Sequence, residues 1–137
     1  MKCLDTTYLI DIVENPDVTH RIAEEIERRG EVLATSVFNA YEALAGTQAV
    51  RDRRQRTKLL DLYARAFSRL VVLPMTLDDA AKAAEIGGEL RRSGRQVGAD
   101  VITAAIALRG GCDGVITRNV EHFERIRDVT GIAVIPY

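Results

Sequence analysis

Cysteine is scarce: Cys3 and Cys112 are the only two in 137 residues. Their spacing matches no zinc motif. Each stands at the start of a short apolar run, which predicts buried free thiols. A disulfide between neighbouring strands is the alternative, disfavoured in a reducing compartment. No apolar run is long enough to span a bilayer. The N-terminus lacks the basic-then-apolar form of a secretory signal. Low-complexity segments and internal repeats are also missing. So is an excess of charge of one sign, with 19 basic residues against 20 acidic and a net charge of -1. A composition of this kind does not announce a nucleic-acid binder. No GxxxxGK[ST] run occurs, which excludes a P-loop NTPase. What is present is enough for one domain over residues 1–137, with 47% hydrophobic residues to build a core. The expectation is a soluble, cytoplasmic protein with no membrane partner.

Short apolar runs alternate with helical stretches along the chain. Lys2 to Leu4 is a first strand, and Tyr8 to Val13 a short helix after it. Asn15-Pro16-Asp17 is a turn, and Asp17 is expected to cap a helix that carries Val18, Ile22 and Ile26 and ends at Gly30. Glu31 to Ala34 is a second strand. Thr35 or Ser36 then caps a third helix with Val37, Tyr41 and Leu44 inward. Thr47 to Arg69 is expected as one long helical stretch, apolar in its second half. Leu70 to Leu73 is a third strand. Thr76 with Asp79 resembles a capping box for a helix to about Arg92. Gly87-Gly88 inside it predicts close approach to another element or another subunit, because two mid-helix glycines cost roughly 1 kcal/mol each against alanine. Ala99 to Leu108 is an apolar helix, Gly114 to Thr117 a fourth strand, and Asn119 to Phe123 a short helix. Ile132 to Ile135 is a fifth strand. Strands alternating with helices predict a three-layer α/β fold, a parallel sheet with helices on both faces and right-handed crossovers.

Four polar residues fall at equivalent places in this pattern. Asp5 follows the first strand, Glu42 lies in the helix after the second, Asp100 opens the helix before the fourth, and Asn119 follows the fourth. Each alone has a structural explanation. A carboxylate at a helix start is favoured by the macrodipole, and Asn119 is a ready N-cap. Glu42 tips the balance, because a glutamate on an inward helix face needs a partner. In open α/β sheets the crevice outside the carboxyl ends of the strands is where ligands bind. Carboxylates gathered there suit a hard cation such as Mg²⁺ or Mn²⁺, and hence phosphoryl transfer chemistry. Basic runs at Arg51–Lys58, at Arg91, Arg92 and Arg95, and at Arg118, Arg125 and Arg127 would funnel a polyanion if they converged; taken singly they are solvated faces.

Leu4-Asp5-Thr6-Thr7-Tyr8-Leu9-Ile10, then Ser36 with Glu42-Ala43-Leu44 and Gly46, then Gly98-Ala99-Asp100-Val101 through Ala107, then Val115-Ile116-Thr117-Arg118-Asn119 with Phe123, resemble a PIN-domain protein. The group most similar is the VapC toxins of prokaryotic toxin–antitoxin pairs, and the resemblance covers essentially the whole chain. It implies a five-stranded parallel sheet of order 3-2-1-4-5. It implies a Mg²⁺- or Mn²⁺-dependent endoribonuclease that is a homodimer and pairs with a VapB-like antitoxin. The family's acidic metal ligands carry over to Asp5, Glu42 and Asp100. The fourth catalytic position, often aspartate, is Asn119 here. That withholds the charge a second metal ion would use while keeping an oxygen ligand. A position two after the first aspartate, commonly asparagine, is Thr7. Thr6, Ser36 and Thr117 match small hydroxyl positions near the family's site, and Thr6, Thr117 and Arg118 are expected to face substrate.

The rivals each want a residue that is missing. A phosphoacceptor receiver domain would need a lysine ending the fifth strand, where Val134, Ile135 and Pro136 stand. A haloacid-dehalogenase-like phosphatase would need an aspartate at Thr7. A metal-independent ribonuclease would use His20 and His122, both expected on charged, exposed stretches. The non-enzyme alternative is a catalytically weak PIN-like module that binds RNA or protein.

Overall fold

The computed structural model of the protein describes residues 1–137. Five strands carry the architecture: β1 (Lys2–Leu4), β2 (Leu33–Ser36), β3 (Val71–Leu73), β4 (Gly114–Thr117) and β5 (Ala133–Pro136). All pair in parallel, in the order β3-β2-β1-β4-β5, so β1 is central. Helices α1 (Thr6–Glu14), α2 (Pro16–Arg29), α3 (Val37–Gln48) and α4 (Arg53–Phe67) precede β3. Helices α5 (Leu77–Arg92), α6 (Asp100–Arg109) and α7 (Val120–Thr130) follow it.

Side chains alternate across each strand, and the two faces build two cores. Cys3, Ala34 and Val115 pack against Ile86, Leu90, Ala104 and Phe123 from α5, α6 and α7. Leu4 and Ile116, each one residue on, pack instead with Tyr8, Leu9, Ala43 and Tyr63 from α1, α3 and α4. The result is the expected three-layer α/β fold. Cys3 and Cys112 are both buried and unpaired. No helix is long and apolar enough to cross a membrane.

Several boundaries move, each for a local reason. Asp17 lies in the first turn of α2 and does not cap it; Asn15 holds the cap position and Pro16 takes the first turn, where its missing N–H costs nothing. Gly30 ends α2 in the left-handed region at φ 62°. The Glu31 amide then reaches back to the Ile26 carbonyl at 3.2 Å. That Schellman-type closure consumes the residues that would have begun the strand, so β2 starts at Leu33. The stretch Thr47–Arg69 is two helices, because Asp52 accepts the Gln55 amide at 2.9 Å and starts α4 afresh. Helix α7 runs on past Phe123 to Thr130, where Gly131 stops it at φ 77°.

Helix α3 turns its polar side inward. Val37 and Tyr41, expected in the core, are exposed, Tyr41 by 68%. Its buried residues are Asn39, Ala43 and Thr47. The Gly87 expectation also changes: a Cβ there would sit 3.8 Å from Val101, an ordinary contact. The tight glycine is Gly110, where a Cβ would come within 2.6 Å of the Leu73 side chain.

Candidate active site

The carboxyl ends of β1, β2 and β4 open on one rim of the sheet, and the strand that ends in Leu4 delivers Asp5 there. Asp5 is 3% exposed. Thr117 donates to its Oδ2 at 2.8 Å and Thr7 to the same oxygen at 3.1 Å. These partners are hydroxyls; none carries a positive charge. Burial pushes the Asp5 carboxyl up and the Asp100 charge pushes it further, against the pull of the Thr117 and Thr7 hydroxyls and the Thr6 amide. Asp5 is thus a buried acid with no cationic partner, a setting that disfavours its charged form.

Glu42 belongs to the same rim through Thr6, whose hydroxyl donates to its Oε1 at 2.6 Å. Thr6 is held in turn by the Asn39 amide at 2.9 Å, which also reaches Thr103 at 2.9 Å. Asn39 is fully buried. Its own backbone amide is taken by Ser36, the N-cap of α3, at 3.0 Å. The inward polar face of α3 therefore fixes the orientation of the helix that carries Glu42.

Asp100 stands in the first turn of α6. The Asn119 side-chain amide lies 2.6 Å from its Oδ2, and His122 Nδ1 lies 2.8 Å from the same oxygen. Asn119 Nδ2 and His122 Nδ1 are 2.9 Å apart. No tautomer satisfies all three sides of this triangle. The arrangement that keeps both contacts to the carboxylate has the amide and a protonated Nδ1 donating to Asp100. Asn119 holds the N-cap position of α7 but makes no side-chain cap bond. Its backbone amide donates to Thr117 at 2.9 Å.

Asp5, Asn119 and Asp100 are thus joined through the Thr117 hydroxyl and the Asn119 amides, and Glu42 is tied to the same rim by Thr6, the residue after Asp5. They are not a finished cage: no three acidic, histidine or cysteine side chains stand together as a metal-holding group. Asp100 is turned to His122 and Asn119, and Glu42 to Thr6. The donor set is oxygen-rich and negative, which fits a hard divalent ion held first by Asp5 and Asp100.

Two expectations are corrected here. Thr117 is fully buried and its hydroxyl is spent on Asp5 and Asn119, so it has no surface to offer a substrate. His122 is not a bystander on an exposed stretch but half-buried against Asp100; His20 is the exposed one. Sequence reasoning also missed Asn39, Thr103 and Asp11. The signal for Asn39 was a polar residue three after a helix cap. The signal for His122 was its place one turn after Asn119 on the same helix. Of the clustered arginines, Arg95 pairs with Asp128, Arg125 with Glu121, and Arg118 with Asp11.

A model of the PIN domain matches residues 2–129. Ribonuclease VapC19 of Mycobacterium tuberculosis is 30% identical over 134 residues, 94% of this chain and 97% of that protein. The fold superposes on DNA-bound VapBC from Salmonella typhimurium with a TM-score of 0.82, 27% identity, and coverage of 98% of this chain and 96% of that one. It also superposes on VapBC2 from Rickettsia felis, bound to a promoter DNA fragment, with a TM-score of 0.80 over 99% of this chain and 98% of that one. Identity there is 20%, a likeness of fold alone. The central β1 with its buried Asp5, the five-strand order and these full-length matches agree, and the chain belongs to the PIN-domain family, on its VapC side.

Proposed function

We propose that this protein is a metal-dependent endoribonuclease toxin, a homodimer held inactive by a VapB-like antitoxin. The observation that carries the reading is Asp5: a carboxylate buried at the end of the central strand, beside a second carboxylate, with only hydroxyls for company. The relative named as a ribonuclease supports the substrate class, and the VapBC complexes among similar structures support the partner.

Asp5 and Asp100 would hold Mg²⁺ or Mn²⁺, with Glu42 as the third acid. Such an ion supplies charge to the phosphate oxygens and makes water a stronger nucleophile. The chain's own contribution is positioning. Thr7 and Thr117 orient the Asp5 carboxylate by donating to one of its oxygens. Thr6 and Asn39 fix Glu42. Asn119 and His122 hold Asp100 by one oxygen. In the hydrolysis, water adds to phosphorus and the bond to the 3′-oxygen breaks, leaving a 5′-phosphate and a 3′-hydroxyl. An acidic pocket of this shape also suits an inhibitor that inserts an arginine, whose fork matches carboxylates.

Cleavage of structured RNAs in Mg²⁺, Mn²⁺ or EDTA tests the reading. Activity that needs metal and disappears in Asp100→Asn is expected. Activity indifferent to both would refute it. The second reading, a binding module without useful catalysis, draws on Asn119 at the fourth position and on the ungathered acids. RNA binding with no metal-dependent cleavage would favour it. Sedimentation equilibrium at micromolar concentration checks the homodimer, and a clean monomer there would remove that part.

A further inference from the structure

Beside the acidic rim lies a second built cluster, on residues the mechanism above does not use. Thr117 pairs with Pro136 across β4 and β5. The next residue of each strand, Arg118 and Tyr137, therefore leaves the sheet side by side at the rim that holds Asp5. Arg118 forms an ion pair with Asp11. Its guanidinium carbon lies 5.6 Å from the centre of the Tyr137 ring. Asp11 is nearly buried, and its carboxylate also accepts from the Tyr137 hydroxyl at 2.6 Å and the Asn15 amide at 2.9 Å. Tyr137 rests edge-on against Tyr8, with ring centroids 4.8 Å apart. On α1, Asp11 is four residues after Thr7, so the two share a face about one turn apart. Thr7 itself touches Asp5 and accepts the Arg118 backbone amide at 3.0 Å.

A guanidinium braced by a buried carboxylate and an aromatic ring has already lost its rotamer freedom. Yet Arg118 is 57% exposed. It has five N–H donors in a planar fork, and the pair with Asp11 uses only part of it. The unused edge faces solvent next to a pocket of negative charge. A polyanionic substrate approaching that pocket needs a fixed cation nearby. We propose that Arg118 binds a backbone phosphate of RNA adjacent to the scissile bond, with Asp11 and Tyr137 as positioning residues that hold its fork in place. This rests on the reading of the rim as an RNA phosphodiesterase site, and it adds where the strand is gripped.

Fluorescence anisotropy of a labelled single-stranded RNA in EDTA, over a range of KCl concentrations, tests it without catalysis. Losing one phosphate contact lowers the slope of log affinity against log salt by about 0.7 for a single strand. Arg118→Ala should show that fall and bind about tenfold more weakly, the scale of one charge-assisted hydrogen bond. Arg118→Lys should restore the slope and not the full affinity, since it keeps the charge and loses the fork. Arg118→Ala leaves Asp11 buried and unanswered, which endangers folding. Asp11→Asn/Arg118→Leu removes both charges together and should bind like Arg118→Ala. If slope and affinity stay at wild-type values in the folded Arg118 variants, the cluster only clamps β5 to α1 and the proposal is overturned. Cleavage by the wild type in Mn²⁺ is a separate measurement. No cleavage with an Arg118-dependent slope overturns the nuclease reading and leaves the phosphate contact standing. Cleavage with an Arg118-indifferent slope does the reverse.

Discussion

The side-chain amide of Asn119 lies 2.6 Å from Asp100 Oδ2, although Asn119 stands where a residue would normally cap α7. The amide is thus committed to a carboxylate across the rim and gives nothing to its own helix. Asn119→Asp would replace a donor with a charge facing Asp100. The variant should lose about 1–2 kcal/mol in EDTA, roughly 3–6 °C for a domain of this size. It should also bind Mn²⁺ more tightly, through one more negative ligand. Melting curves in EDTA and calorimetric titration with Mn²⁺ check both. A mere cap would move neither quantity, because aspartate and asparagine cap equally well.

Asp5→Asn should separate stability from function. The buried charge, and its repulsion with Asp100, are removed while an oxygen remains to accept from Thr7 and Thr117. The metal-free variant should melt above wild type. Wild type at 100 times its Mn²⁺ dissociation constant should gain about 2.7 kcal/mol, and the variant almost none. Thermal denaturation with and without Mn²⁺ reads both. An equal metal-induced shift in the two proteins would take Asp5 out of the site.

Asp79 sets an acid limit on the fold. Burial alone would raise its carboxyl. The Arg109 side chain at 2.6 Å and the Thr76 amide at 2.8 Å outweigh that and hold it below the ordinary value of 3.8. The folded carboxyl therefore binds its proton less tightly than the unfolded one. Its stabilisation is full above the unfolded value and is lost as pH falls through the lowered folded value. Asp79→Asn should cost at least about 1 kcal/mol at pH 7. The gap to wild type should narrow as pH falls below 3.8 and the carboxyl takes up its proton. Urea unfolding across this pH range measures it; a gap constant with pH would mean the Arg109 pair contributes nothing.

Tyr8 carries the one buried side-chain polar atom without a partner. Desolvation, with the Tyr137 hydroxyl nearby, pushes its phenol up to about 12. Tyr8→Phe deletes that hydroxyl and keeps the edge contact with Tyr137. It should raise stability by about 1 kcal/mol. A loss in urea denaturation would reveal a partner for the hydroxyl.

The sequence disclosed strands and site acids more readily than what surrounds them. Gly114–Thr117 and the Thr76–Asp79 capping box are where local chemistry placed them, since each depends on residues within a few positions. The strand order came from the resemblance to PIN domains and not from the pattern of strands, which implies only a parallel sheet. Helix α3 misled because amphipathicity assumes an apolar inner face, whereas here Asn39 and Thr47 are buried and Tyr41 is not. Nothing local distinguishes an asparagine that will meet Thr6 and Thr103, 33 and 64 residues away, from one that meets water. His122 was misjudged for the same reason, its charged neighbours pointing outward while it turns to Asp100. The split of α3 from α4 was missed, because the apolar spacing resumes after Asp52 and only the Asp52 side chain, accepting from the Gln55 amide, marks the new start.

Asp5 owes its setting to Thr117, 112 residues downstream, and Lys2 has no β4 partner until Gly114. On a ribosome emitting 5–20 residues per second, the first strand waits on the order of 10 s for the strand that completes its pocket. During that interval the acids lie on separate stretches of nascent chain. A nuclease of this topology is harmless to the message and the ribosome that make it until β4 has been made and has paired with β1. A partner translated earlier has the same interval in which to be waiting when the pocket closes.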